Sequence, residues 1–164
     1  MVLFSEKQKF RQWWLWLLLL LPFAITMFRN YQENKTIALD FKAIDLMQFI
    51  PLIVIWLLFV LMSLKTEIKT EGVFVRFFPF HLKSKFFPWN EIAEIYVRQY
   101  KPLWEYGGWG LRVGLFGKGN AYNVSGNIGI QIIFTNGKKL LLGTQSSELV
   151  NNALQQLGKY QTGI

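Results

Sequence analysis

Two apolar runs that contain no charged residue occupy most of the first 64 positions of the chain. Trp13–Phe28 covers 16 residues and Leu46–Leu64 covers 19. A helix that crosses the hydrocarbon core of a bilayer needs about 17–25 residues, and the first run reaches this length when its flanking residues are included. The pattern predicts a transmembrane hairpin over residues 1–64, with helices at about 12–30 and 46–64 and an outer loop at 29–45.

After residue 64 the period changes from that of a helix to the alternation of β-strands. Ile128, Ile130 and Ile132 alternate with their neighbours, and the hairpin signal Asn136-Gly137 follows. An apolar helical face that includes Leu154 predicts a final helix at about 145–157. The other predicted strands are Thr66–Lys69, Val73–Phe78, Lys83–Trp89, Ile92–Tyr100 and Lys138–Leu142. The predicted fold class is a two-helix transmembrane hairpin followed by a mainly antiparallel β domain, residues 65–164, of six to seven strands, capped by one C-terminal α-helix.

Positive charge is distributed unevenly around the two apolar runs. Eight Lys and Arg residues lie just before the first run or soon after the second, whereas the connecting segment holds three, balanced by three acidic residues. Because loops rich in Lys and Arg stay on the cytoplasmic side, we predict that both termini and the β domain are cytoplasmic and that the protein is integral to the cytoplasmic (inner) membrane. A cleaved signal peptide is the alternative for the first run, but the tryptophans at its start favour a retained anchor.

The inventory of reactive residues argues against catalysis. The chain contains no Cys, and residues 65–164 contain no Asp and a single histidine, His81. A nucleophilic triad or a zinc site cannot be assembled from these residues. Glu91 and Glu94 are the closest carboxylates, and we interpret them as a solvated edge and a cross-strand partner. We therefore predict that the protein is not an enzyme and has no cofactor, no metal, no evident small-molecule substrate and no nucleic-acid partner.

Six glycines lie between Gly107 and Gly119, interleaved with aromatic and basic residues. No helix pattern follows them, and Lys118 is not followed by Ser or Thr, so a phosphate-binding loop is not indicated. One interpretation is a bent loop whose aromatic side chains cover the edge of the sheet. The other is a recognition surface, because interfaces favour aromatic residues and Arg. The predicted interaction surface comprises Trp104, Tyr106, Trp109, Arg112 and Tyr122.

Basic residues suggest a second surface on the same domain. Twelve Lys and Arg residues and six Glu lie at or after Lys65, which gives a net charge of +6. Such a surface suits anionic lipid headgroups or acidic partners. Lys69, Lys83 and Lys85 are the predicted lipid-facing residues, although Glu67 and Glu71 interrupt the basic sequence.

The sequence Phe87-Pro88-Trp89-Asn90-Glu91-Ile92, with the strand that follows it, resembles the bacterial pleckstrin-homology (PH)-like membrane proteins with two N-terminal transmembrane helices. The resemblance implies a bent antiparallel sheet closed at one end by the C-terminal helix, and it implies no particular ligand. We predict a membrane-anchored binding or scaffold module that mediates protein–protein interaction or self-association at the cytoplasmic face of the lipid bilayer. The alternative function is binding or sensing of anionic lipid headgroups at the inner leaflet.

Overall fold

The computed structural model describes residues 1–11, 13–34, 43–114 and 117–159. These described residues form nine strands and four α-helices. In chain order they are β1 (Val2–Lys9), α1 (Trp13–Asn34), α2 (Ala43–Leu61), β2 (Ser63–Lys69), β3 (Gly72–Phe78), β4 (Lys85–Pro88), β5 (Ile92–Gln99), α3 (Pro102–Tyr106), β6 (Gly110–Val113), β7 (Asn120–Asn123), β8 (Ile128–Phe134), β9 (Lys139–Gly143) and α4 (Ser147–Gln156). The chain divides into two compact units, a β unit (Met1–Phe10 and Met62–Ile164) and a helical unit (Arg11–Leu61).

Sheet A of the β unit consists of β1, β2, β3 and β4 in that order, and each neighbouring pair is antiparallel. The alternation along β2 and β3 determines which face is buried, because successive side chains of a strand point to opposite faces. Leu64 and Ile68 on β2 and Val73, Val75 and Phe77 on β3 are fully buried. The alternate residues Lys65, Glu67, Phe74 and Arg76 are partly exposed, so sheet A covers the core with one face only.

Sheet B has the strand order β5-β8-β9-β7-β6. The strands β5, β8 and β9 are antiparallel neighbours and supply core residues such as Ile95, Ile130, Ile132 and Leu142. The hairpin β6–β7 joins this sheet through a parallel pairing of β7 with β9. This hairpin and α3 form an insertion between β5 and β8, and without it the β unit would have seven strands followed by one helix.

The turn between β8 and β9 forms at Asn136-Gly137, as the sequence predicts, but it is a three-residue loop. The Phe134 N–H donates to the carbonyl of Lys138, and the Gly137 N–H donates to the carbonyl of Phe134, both at 2.9 Å. The loop is therefore Thr135 to Gly137, and Gly137 has a φ of +77°. This is the pattern of a hairpin loop whose last residue is left-handed, a position that favours glycine.

The C-terminal helix α4 begins at Ser147 and ends at Gln156, slightly inside the predicted range. Its buried side chains are Val150, Ala153 and Leu154, which face the β unit, and α4 lies against β1 and β5. Their spacing of three or four residues places them on one face of the helix. The apolar pattern that predicts this helix is therefore the pattern that attaches it to the core.

The predicted transmembrane hairpin is wrong, and with it the predicted fold class and the predicted localisation in the inner membrane. Within the described residues, no helix is long and apolar enough to cross a bilayer. The second apolar run loses its last residues to β2, which leaves Leu46–Leu61 as 16 helical residues, roughly 24 Å long against a hydrocarbon core of about 30 Å. The apolar part of α1 is also 16 residues long, since the last six residues of this helix are the polar sequence Arg29–Asn34.

The N-terminal residues are a further correction to the predicted division at residue 64. Val2–Lys9 forms β1 and pairs along its length with β2, so Met1–Phe10 belongs to the β unit. The two helices therefore lie between two paired strands in the sequence and do not form an N-terminal hairpin. Residues 35–42 of the predicted outer loop lie outside the described residues, and its two ends belong to α1 and α2.

Candidate functional site

An open cleft of about 650 Å³ lies at one end of sheet B, and we call it the α3 cleft. It is lined by residues at the end of β5, by residues of α3 and by single residues just before β6 and β8. The lining residues are Gln99, Tyr100, Lys101, Pro102, Leu103, Trp104, Glu105, Trp109 and Asn127. The cleft combines three large apolar side chains with a small number of polar groups, as is typical of binding sites.

The one-turn helix α3 presents two of these apolar side chains to solvent. Pro102 occupies its first turn, where the missing N–H costs nothing, and Gly107 ends it with a φ of +69°. The Gly107 N–H donates to the carbonyl of Leu103 at 3.0 Å. Leu103 is 63% exposed and Trp104 is 82% exposed. Two large apolar side chains are therefore held outward on a short, capped helix.

An ion pair attaches α3 to β5. The two terminal nitrogens of Arg98 donate to the two carboxylate oxygens of Glu105, at 3.3 and 2.9 Å. The same carboxylate accepts a hydrogen bond from the Lys101 N–H at 2.8 Å, and the Arg98 Nε donates to Gln131 on β8 at 3.0 Å. Burial raises the pKa of the Glu105 carboxyl, but the bonds from Arg98 and Lys101 lower it more, so the net shift is downward and Glu105 is ionised. The bidentate pair fixes the orientation of α3.

Two buried tyrosines stabilise the residues around the cleft. Tyr106 is 2% exposed, and its hydroxyl accepts a hydrogen bond from Arg98 at 3.2 Å. Tyr100 is equally buried, and its hydroxyl accepts a hydrogen bond from the Asn123 side chain at 3.0 Å. Burial raises the pKa of Tyr100 to about 12. The oxygen of the Asn123 side chain accepts the Gly110 N–H at 2.8 Å, which links this support to the start of β6.

Trp109 forms the opposite side of the cleft. Its indole Nε1 donates to the carbonyl of Gly126 at 3.0 Å, and the side chain is partly buried. Arg112 is exposed, and its Nε donates to the carbonyl of Trp109 at 3.0 Å. The structure therefore brings Trp104 and Trp109 together at the α3 cleft, with Arg112 bonded to the segment that holds Trp109. Tyr106 lies beneath this surface as a structural residue.

Tyr122, the fifth residue of the predicted interaction surface, lies elsewhere in the β unit. It is 5% exposed, and its ring contacts Phe77 and His81 with centroid distances of 6.3 and 5.2 Å. The Nζ of Lys85 donates to its hydroxyl at 3.3 Å. Burial, with a smaller contribution from the charge of Lys85, lowers the pKa of His81. Tyr122 therefore belongs to the packing between the sheets and does not face the α3 cleft.

The three predicted lipid-facing lysines do not form one surface. Lys69 lies on the outer face of sheet A, 3.3 Å from the carboxylate of Glu67. Lys85 pairs with the inward-facing Val75, and its side chain reaches Tyr122 between the sheets. Lys83 is exposed in the turn between β3 and β4. The register thus separates Lys69 and Lys85 onto opposite faces of the sheet.

The sequence pattern does not indicate four residues that build or line the cleft, namely Arg98, Lys101, Leu103 and Glu105. A usable signal was present, because Pro102 is the first residue of a one-turn helix and Gly107 directly follows its last residue. Recognition of that helix places Leu103 and Trp104 on an exposed element. The pairing of Arg98 with Glu105 depends on how the helix returns onto β5, which the local pattern does not specify.

Among the described residues, no group of three or more His, Cys, Asp and Glu is placed to hold a metal ion. Comparisons of the chain with family models, with characterised proteins and with solved structures gave no match.

Proposed function

We propose that the β unit is a non-catalytic, PH-like binding module that recognises a protein partner through the α3 cleft. The exposure of Trp104 carries this proposal, because the side chain is 82% exposed. The helix that holds it is nevertheless fixed by its cap, by the Arg98–Glu105 ion pair and by buried tyrosines. A rigid exposed tryptophan loses little conformational entropy when it binds. Residues of this kind dominate the binding energy of protein interfaces.

The chemistry of the cleft defines the kind of partner. Leu103, Trp104 and Trp109 suit a large aliphatic or aromatic side chain of the partner. Glu105 is already neutralised by Arg98, whereas Lys101 and Arg112 are exposed at and beside the cleft. The β unit as a whole carries 14 Lys and Arg residues and seven Glu. The partner is therefore a segment in which acidic residues flank a bulky apolar side chain.

The order of elements supports the PH-like part of the proposal. Apart from the insertion of α3, β6 and β7, the described β unit has seven strands in two sheets and one C-terminal helix. The helix lies against β1 and β5, at the boundary between the two sheets. Antiparallel strands followed by a helix at the sheet boundary support a comparison with the bent sheet and terminal helix that the resemblance implies. Since such a scaffold accommodates different ligands, the cleft and not the fold carries the functional proposal.

Peptides provide the direct test of partner binding. Binding to the full chain can be measured by fluorescence anisotropy of peptides that carry a central Trp, Phe or Leu between acidic residues. We expect these peptides to bind, and we expect the same peptides with Lys in the acidic positions to bind much more weakly. Trp104→Ala should weaken binding by about tenfold or more, and Lys101→Glu should weaken it through repulsion. Leu149→Ala and Lys138→Glu are matched exposed controls that should leave it unchanged. Equal binding by Trp104→Ala and the wild type would refute the proposal.

A surface of anionic lipid headgroups is the second candidate partner, and the turn between β3 and β4 favours it. Phe80 is 54% exposed and Leu82 is 75% exposed, and Lys83 directly follows Leu82 in the same turn. Apolar side chains beside a cation suit the boundary between headgroups and acyl chains. Co-sedimentation with phosphatidylserine vesicles that falls steeply with added salt and with Lys83→Glu would support this candidate. Sedimentation that is the same with neutral vesicles would exclude it.

A further inference from the structure

The strand β6 lies at one edge of sheet B, and among the described strands it pairs with β7 alone. The other strands that end a sheet are less open. The strands β1 and β5 lie against α4, and β4 ends at Pro88, which has no N–H to offer a further strand. An uncovered strand edge presents N–H and C=O groups with which another chain can pair. Of the described strands, β6 is therefore the one best placed to accept an added strand.

The register of β6 determines which of its backbone groups face outward. The N–H of Gly114 donates to the carbonyl of the residue that precedes β7, and the N–H of Gly110 donates to the side chain of Asn123 at 2.8 Å. Both N–H groups therefore point toward β7. In an antiparallel pair, residues that bond to the partner strand alternate with residues that do not. The N–H and C=O groups of Leu111 and Val113 consequently point away from β7, toward the open edge.

The side chains along β6 alternate between apolar and basic. Leu111 is 39% exposed and Val113 is 75% exposed on one face of the strand, and the exposed Arg112 lies between them on the other face. Directly opposite residues of two paired strands share a face and contact each other. Apolar residues of an added strand therefore suit the positions beside Leu111 and Val113, and an acidic residue suits the position beside Arg112.

The charge of the surrounding chain favours an acidic occupant of this edge. Residues 106–147 contain no Asp or Glu and four basic residues, which are Arg112, Lys118, Lys138 and Lys139. All four are exposed. A Cβ added at Gly114 would lie 2.8 Å from the Cβ of Lys118, which places Lys118 at the end of β6. A second copy of this chain is a poor occupant, because antiparallel pairing about Arg112 sets two like charges opposite each other.

We infer that an acidic segment of the partner binds as an added strand on β6, with apolar side chains beside Leu111 and Val113 and an acidic side chain beside Arg112. Trp109, which lines the α3 cleft, directly precedes β6, so the segment continues from the edge into the cleft. Main-chain hydrogen bonds to β6 supply affinity, and the alternate side chains supply specificity. This inference rests on the proposed function, because it gives the conformation in which the same partner binds.

A proline at the open edge tests this inference in the full chain. The probe is a fluorescent peptide that alternates Val and Glu and ends in a Trp between two Glu, and its binding is measured by fluorescence anisotropy. Val113→Pro removes an outward N–H and no bond to β7, so it should weaken binding by about fivefold more than Val113→Ala, which keeps the N–H. Equal effects of the two variants would overturn the inference.

Trp104→Ala separates this inference from the proposed function. Binding that is weakened by Trp104→Ala and not by Val113→Pro leaves the α3 cleft as the site and overturns the added strand. Binding that is weakened by Val113→Pro and not by Trp104→Ala supports the added strand and refutes the role of the cleft. A probe that does not bind the wild type overturns both.

Peptides with methylated backbone nitrogens decide the matter if circular dichroism shows that Val113→Pro fails to fold. An added strand bonds through alternate residues only, so methylation of the Val nitrogens and methylation of the Glu nitrogens should differ in effect by about fivefold or more. Equal losses of binding contradict an added strand. A wild type that light scattering shows to be a dimer, and that Val113→Pro converts to a monomer, would assign the edge to a second copy and overturn the inference as well.

Discussion

At the scale of single residues, Thr66 is a buried hydroxyl without a hydrogen bond to any described residue. It lies on the inner face of β2, is 2% exposed, and its Oγ1 has no partner. A buried polar atom that loses its water without a replacement destabilises the folded state by about 1–3 kcal/mol. We therefore expect Thr66→Val, which removes the hydroxyl and preserves the shape, to raise the free energy of unfolding by about 1 kcal/mol. A lower urea midpoint for the variant would contradict this expectation.

Tyr100 makes the stability of the β unit sensitive to alkaline pH. Its pKa is about 12 in the folded chain, and an unfolded tyrosine titrates near pH 10. Between these values the unfolded chain releases a proton that the folded chain retains, so the free energy of unfolding falls as the pH rises, by at most about 1.4 kcal/mol per pH unit. Below pH 10 this contribution is fully present.

Urea unfolding at pH 9, 10 and 11 checks this slope. Tyr100→Phe removes the titrating hydroxyl and is expected to flatten the pH dependence above pH 10, although the variant loses the bond from Asn123 and starts from a lower stability. The comparison concerns the slope and not the absolute stability. Parallel slopes for the variant and the wild type would show that Tyr100 does not titrate in this range.

Gly137 is a residue whose backbone conformation decides what can replace it. Its φ is +77°, and an added Cβ would meet no atom within 4 Å, so the cost of a side chain is conformational only. Gly137→Val should lower the free energy of unfolding by about 1–2 kcal/mol, because a β-branched residue resists this conformation. Gly137→Asn is the matched control, since Asn tolerates it. Equal urea midpoints for the two variants would argue against the left-handed turn.

At the scale of elements, α3 depends on its ion pair. The side chains of Arg98 and Glu105 are only 21% and 17% exposed, so their mutual hydrogen bonds are only partly screened by water. Glu105→Gln is expected to cost about 1–3 kcal/mol and to loosen the helix that carries Trp104. Peptide affinity at the α3 cleft should fall with it. The exposed Glu94→Gln is the control, and the same loss of affinity in that variant would show that the effect is not specific to α3.

At the scale of the whole molecule, the β unit should fold without the helical unit. Lys9 and Ser63 are register partners in β1 and β2, so Phe10 and Met62 stand at the two ends of a potential hairpin. We expect a variant in which Asn-Gly replaces residues 11–61 to retain β-type circular dichroism and cooperative unfolding.

The matched comparison is a fragment that begins at Met62 and lacks β1. Phe4 is 5% exposed, and the buried Gln8 side chain donates to the carbonyl of Gly143 at 2.8 Å. The fragment loses both contacts and exposes the edge of β2, so it should unfold at a clearly lower urea concentration than the joined variant. Equal stability of the two proteins would show that β1 is dispensable.

The sequence alone was sufficient for the elements that bury a regular face. The strands β2, β3 and β5 and the helix α4 follow the period of their apolar residues, because burial on one side imposes that period. The strands β8 and β9 are buried on both faces, and the Asn136-Gly137 signal between their apolar residues indicated them. It also indicated Trp104 and Trp109 as residues of a surface, since large aromatic side chains in a glycine-rich segment need not all be core. These inferences depend only on neighbours along the chain.

The tertiary structure decided whatever depends on distant partners. The strand β1 turns Glu6 and Gln8 inward, where they bond to Thr144 and Gly143, so its polar sequence does not indicate a strand with one inward face until those partners are in place. The helix α2 ends at Leu61, before the end of the second apolar run, because Ser63 and Leu64 pair with Phe78 and Phe77 of β3. The local sequence specifies which residues favour burial, but pairing over long separations decides which of them meet.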